Sequence, residues 1–102
     1  MSSTLKSLRA LSDPTRRALI RHLAEGPATA TQLSLQFPIS RQAVTKHLAA
    51  LDEAGLVERN SSGREVRYSL RTEGLADVST WVTEVGTSWD RRLADLKRTL
   101  GS

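Results

Sequence analysis

"ISRQAVTKHLAALDEAGLV", residues 39–57, decides how this chain reads. Val44, Leu48 and Leu51 recur at i, i+4 and i+7, the spacing of the buried stripe of an amphipathic helix. Ser40 stands where an N-cap hydroxyl accepts from the first turn, and Gly55 stands where a helix ends. The opposite face carries Arg41, Gln42, Thr45 and Lys46, with Ala49 leaving room for close approach. The segment turns acidic only at its far end, at Asp52 and Glu53.

Such a face suits the major groove of B-DNA, where each base pair shows a distinct pattern of donors and acceptors. A recognition helix reads it with side chains near its own N-terminus. Arg41 is suited to two acceptors on guanine and Gln42 to adenine, while the Thr45 methyl suits that of thymine. Lys46 is better matched to phosphate. An ordinary solvated helix surface uses the same residue types, so the flanking sequence has to decide between the two readings.

Upstream, "TATQLSLQF" opens on the capping-box pair Thr29 and Gln32, buries Leu33 and Phe37, and is stopped by Pro38. Before it, "SDPTRRALIRHLAEG" is a punctuated helix with Asp13 at the N-cap and Pro14 at the first helical position. Leu19, Ile20 and Leu23 face inward there, and Gly26 and Pro27 close it. Leu5, Leu8 and Leu11, three apart, predict a further short helix over residues 4–11. Downstream the period changes to two. Val66, Tyr68 and Leu70 alternate with Glu65, Arg67 and Ser69, as in a strand buried on one face. Leu56 to Arg59 is the expected partner strand, with "NSSG" as the turn and Gly63 at a positive φ. From Thr72 to Leu100 apolar residues are spaced by three or four in one long helix, weakened at Gly86.

The expected order is ααααββα: a mostly helical fold with a small β-hairpin wing, in other words a winged helix-turn-helix. It forms one domain over residues 1–102, with the helix-turn-helix at 28–54 and the wing at 56–70. The candidate DNA contacts are Ser40, Arg41, Gln42, Thr45 and Lys46 on recognition helix 40–54, with Arg64 and Arg67 on the wing.

Charge supports this reading. The net charge is +4, and residues 1–71 carry eleven basic against six acidic groups while residues 72–102 carry four against five. The excess therefore lies where a polyanion would dock. There is no cysteine, which removes disulfides, thiolate metal sites and thiol redox switches. No N-terminal apolar run resembles a signal peptide and no stretch is long enough to span a bilayer, so a cytoplasmic protein without a membrane partner is expected.

The string "ALSDPTRRALIRHLAEGPATATQLSLQFPISRQAVTKHLAALDEAGLVERNSSGREVRYSL" resembles the ArsR/SmtB family of small winged helix-turn-helix repressors. "LSDPTR", "SRQAVTKHL" and "AGLV" carry the resemblance, which covers about residues 8–71. It implies a homodimer joined by its first and last helices, with two recognition helices on an inverted repeat of double-stranded DNA. Family members that sense soft metals carry Cys-x-Cys where this chain has Ser34 and Gln36, and thiolate is the ligand such metals prefer. Others use His and carboxylates on the last helix, which here has no His. The resemblance is thus to the non-metal branch, with no cofactor and an unknown effector.

Residues 1–12 and 72–100 are the expected dimerisation helices. Leu5, Leu8, Leu11, Leu75, Val78, Trp81, Val82, Val85 and Trp89 exceed what one small core absorbs and form the expected interface. Trp81 and Trp89, eight apart, share a face that reads as dimer core or as a cage for a small aromatic or lipid-like effector. His47 is expected to pack or to bond phosphate, and His22 to lie on a helix surface. Arg16 and Arg17 are open between DNA contact and intramolecular ion pairs, and Asp95 and Arg98 are spaced to pair at i, i+3.

The expected function is a sequence-specific DNA-binding regulator, acting as a homodimeric repressor. The alternative is a winged-helix module for protein–protein contact. Catalysis is not expected, since no cysteine, convergent His–carboxylate cluster or glycine-rich phosphate loop is present.

Overall fold

The computed structural model describes residues 2–101, with side chains described from Leu5 to Thr99; the Leu100 side chain, last of the apolar repeat, and the two terminal residues lie outside that description. The elements are α1 (Ser2–Ala10), α2 (Pro14–Leu23), β1 (Ala28–Thr29), α3 (Ala30–Gln36), α4 (Arg41–Glu53), β2 (Val57–Ser62), β3 (Glu65–Leu70) and α5 (Thr72–Gly101). This is the expected winged helix-turn-helix, with one added strand. The sheet runs β1-β3-β2, all antiparallel, with Ala28 opposite Tyr68 and Val57 opposite Leu70.

Local chemistry accounts for the helix boundaries. The Asp13 carboxylate accepts from the backbone N–H of Thr15 and Arg16 at 2.8 and 3.1 Å. Thr29 and Gln32 satisfy each other reciprocally, at 3.0 and 2.9 Å, and set the start of α3. At the end of α4, the Gly55 N–H donates to Asp52 and the Leu56 N–H to Leu51, the paired bonds of a Schellman cap. Helix α2 instead ends at Leu23 on a right-handed Ala24 cap, three residues before the Gly26–Pro27 stop expected from sequence.

The helices enclose one core. Leu19, Leu33, Val44, Leu48, Leu51, Leu56 and Val57 have no solvent exposure, and Tyr68 closes the core from the sheet. Because α4 buries its Val44–Leu48–Leu51 stripe against this core, its opposite face is fixed outward. Gly74 lets α5 leave the sheet close to the α4 corner: a Cβ there would lie 2.5 Å from the Gly55 carbonyl oxygen.

The wing spans the residues expected of it, but its strands are longer and its turn shorter. Asn60, Ser61 and Ser62 belong to the ladder rather than to the turn, which narrows to Gly63 and Arg64. Gly63 takes a φ of 62°, which suits a residue without a Cβ.

Of three smaller expectations, two are corrected and one is met. Among the described residues Arg16 and Arg17 form no ion pair; they donate to the Ala10 and Leu11 carbonyls at 3.3 and 2.7 Å, pinning α1 to the start of α2. His22 is half-buried rather than on the surface, edge-on to Phe37 at a ring separation of 6.0 Å. Asp95 and Arg98 do pair.

Candidate nucleic-acid interface

Ser40 positions the reading face. Its hydroxyl accepts from the Ala43 N–H at 3.1 Å, which turns the chain sharply after Pro38 and starts α4 at Arg41. Arg41, Gln42, Thr45, Lys46 and Ala49 then lie together on the exposed side of the helix. The Thr45 hydroxyl donates to the Arg41 carbonyl at 3.0 Å, a bond back to its own helix. Arg41, Gln42 and Lys46 have no ion-pair partner among the described residues, so their charges and donors face outward.

The wing completes the surface. A groove of about 420 Å³ runs between the first turn of α4 and the hairpin, bounded by Arg41 and Thr45 on one side and by Arg59 and Arg64 on the other. Thr31, in the first turn of α3, adds a hydroxyl at its rim. Three guanidinium groups line the groove against one carboxylate, Glu65, itself paired with Arg67, which leaves a positive concavity of the kind that attracts a phosphate backbone.

Arg67 lies apart from this groove. Its Nε donates to the Glu65 carboxylate at 3.2 Å, both side chains being about half exposed. Arg59, by contrast, is a groove residue that the sequence reading passed over. It pairs across the ladder with Tyr68, so the two project from the same face of the sheet. Parity along β2 does not by itself reveal this: Arg59 shares the parity of buried Val57, but Leu56 beside it is equally apolar and equally buried.

His47 sits on the flank of α4, half-buried and near the N-cap of α2. The Asp13 carboxyl is held below its ordinary pKa, first by the hydrogen bond from the Arg16 backbone and then by that from Thr15, with smaller help from the charges of His47 and Arg16, while desolvation opposes the shift.

The expected interface residues divide. Leu11 and Leu75 are half-buried and pack against the core of their own chain, and Leu8 and Val78 are also half-buried. Leu5, Val82, Val85 and Trp89 are about half exposed or more, and Trp81 is more than one-third exposed. Leu93 and Leu96 continue the same exposed stripe. Every described side chain of α5 from Ser79 onward is exposed, and the molecule extends 68 Å along the axis that this helix prolongs.

Comparison with known proteins adds to this geometry. A family model described as a helix-turn-helix domain matches residues 11–60. The HTH-type transcriptional regulator Rv2034 of Mycobacterium tuberculosis is 35% identical over 97 residues, covering 95% of this chain and 88% of that protein. The transcriptional repressor SdpR of Bacillus subtilis is 35% identical over 74 residues, 72% of this chain and 82% of that one. Among solved structures, an ArsR-like transcriptional regulator from Rhodococcus sp. RHA1 superposes with a TM-score of 0.84 at 38% identity, over 95% of this chain and 92% of that chain.

Proposed function

This chain belongs to the ArsR family of winged helix-turn-helix transcriptional regulators, and from that premise we propose that it is a homodimeric repressor that binds an inverted-repeat operator. The observation that carries the reading is the exposed donor face of α4 lying beside a groove ringed by Arg41, Arg59 and Arg64. Arg41 and Gln42 read base edges in the major groove, Thr45 contacts a thymine methyl, and Lys46 and Ser40 hold phosphates. Arg64 and Arg59 grip the flanking backbone or minor groove, and Arg67 contributes once DNA competes with its exposed pair to Glu65.

Dimerisation follows from α1 and α5. The apolar row of Leu5, Trp81, Val82, Val85 and Trp89 is left between about one-third and two-thirds exposed in the single chain. Soluble monomers rarely expose so large an apolar patch. A second copy packed α5 to α5 removes it from water and sets two copies of α4 about one DNA turn, ~34 Å, or a multiple of it apart. Repression is then steric: a dimer on its operator occludes the promoter. That places its work in the cytoplasm, with the chromosome.

Selection of bound sequences from random duplex DNA tests the proposal. The expected result is an enriched inverted repeat whose half-sites are centred about 10 base pairs, or a multiple, apart. Enrichment no greater than that of random duplex, with binding abolished by moderate salt, would reduce the surface to a nonspecific one.

A further inference from the structure

Away from the DNA-facing surface, a second recess of about 230 Å³ opens between α1, the start of α2 and the end of α4. Its wall is apolar where Ala10, Ala50 and Ala54 meet. Around it stand three cations, Lys6, Arg9 and Arg16, against a single acid, Glu53. None of the four forms an ion pair among the described residues. Arg16 is held in place by the bond from its Nη1 to the Ala10 carbonyl, at 3.3 Å, and its Nε is buried with no hydrogen-bond partner. The recess therefore combines a small apolar floor with an excess of two positive charges, one of them on a guanidinium already fixed by the fold.

We infer that this recess is a binding site for a small monocarboxylate with a compact apolar body, the alanines receiving the body and the Arg16, Arg9 and Lys6 cations the carboxylate. The volume is below the ~300–1,000 Å³ typical of drug-sized ligands, which restricts the guest to a small acid. A carboxylate matches a guanidinium in two parallel hydrogen bonds, and fully hydrated inorganic anions gain nothing from the apolar floor. Glu53 opposes the guest and sets a limit on affinity. The site bridges two working elements. By helical spacing, Arg9 lies four residues from Leu5 and so beside that leucine, with Lys6 about a quarter-turn further round α1, and Ala50 and Glu53 belong to the helix that carries Arg41 and Gln42. On the reading that α4 binds DNA and α1 the partner protomer, occupancy couples acid binding to operator affinity, by as much as the acid's affinity differs between the free and DNA-bound protein.

Sodium benzoate, titrated into the full-length protein and followed by amide NMR shifts, tests the site without any DNA. The expected result is a saturable shift centred on residues 6–10, 16 and 50–54. Arg9→Gln, at an exposed position, should weaken it at least several-fold, Glu53→Gln should strengthen it, and neutral benzamide should give no comparable shift. Arg16→Gln should abolish it in a protein whose dispersed spectrum reports an intact fold. Absence of a saturable shift, or an equal response to benzamide, would overturn the site. Saturable shifts with operator affinity unchanged at saturating benzoate would overturn its role as an effector site, and failure of DNA binding altogether would overturn the DNA reading while leaving the NMR result standing.

Discussion

At the scale of single residues, side chains placed to discriminate between bases differ from side chains placed only to attract DNA. Arg41 and Gln42 occupy the first turn of α4, exposed and unpaired by any other described side chain. Replacing either by Ala should cost roughly 1–3 kcal/mol of preference for operator over random duplex if its contact is bidentate. Equal losses on both DNAs, measured in the same buffer, would reassign it to the backbone. Arg59→Ala and Arg64→Ala should behave differently. Each should weaken every duplex alike and flatten the salt dependence by about one phosphate contact. A slope that stays at the wild-type value would take that arginine out of the interface. Asp13 supplies a pH signature of the fold itself. Its folded pKa lies below its ordinary value because the Arg16 and Thr15 backbone N–H groups, with smaller help from the charges of His47 and Arg16, favour the carboxylate. The stability this adds is fully present above the ordinary carboxylate pKa and is lost as pH falls through the lower folded value. The difference in thermal midpoint between wild type and Asp13→Asn should therefore be constant at neutral pH and shrink below about pH 4. A difference that persists unchanged in strong acid would show the charge is not its source.

At the scale of elements, what could be read from sequence depended on the range of the interaction. Asp13, Thr29 with Gln32, and Ser40 act within three residues of themselves, so the starts of α2, α3 and α4 were legible from spacing alone. Strand β1 is two residues long, too short for alternation to register, and exists only because β3 offers it a partner. Arg59 was missed for a related reason. The alternation was traced along β3, and the facing of β2 follows from the register between the two strands, which is a tertiary property. The turn was misplaced for the same cause: polar Asn60–Ser62 look like loop, yet in an exposed hairpin backbone pairing holds them in the ladder. The two glycines of α5 give a contrasting pair of predictions. Gly74→Ala puts a methyl 2.5 Å from the Gly55 carbonyl oxygen, and should destabilise by about 1–3 kcal/mol as the helix is forced off the α4 corner. A Cβ at Gly86 meets nothing within 4 Å, so Gly86→Ala should stabilise by up to about 1 kcal/mol. Urea midpoints that move in the same direction for both would contradict this description of α5.

At the scale of the whole molecule, function rests on a division of the apolar surface. The winged core is complete in one chain, with seven large side chains fully enclosed. Helix α5 is not. Its 30 residues span about 45 Å, and beyond Ser79 every described apolar side chain along it is exposed to solvent. Leu11 and Leu75, read from sequence as interface, serve the core of their own chain as well. A single sequence shows how many apolar residues exist but not how the fold divides them between a core and a partner. The exposed row from Trp81 to Trp89 is what the account assigns to the second copy, and on that assignment dimerisation and operator binding are one property. Val85, about half exposed and far from the core, is the position at which to break it without unfolding the winged domain. The direct measurement compares Val85→Glu with wild type for oligomeric state by sedimentation and for affinity on the full inverted repeat and on an isolated half-site. The expected result is a folded monomer that binds the half-site as wild-type protein does at concentrations where it too is monomeric, and that loses the large additional affinity for the full repeat. A folded, monomeric Val85→Glu protein that binds the full repeat with wild-type affinity would contradict it.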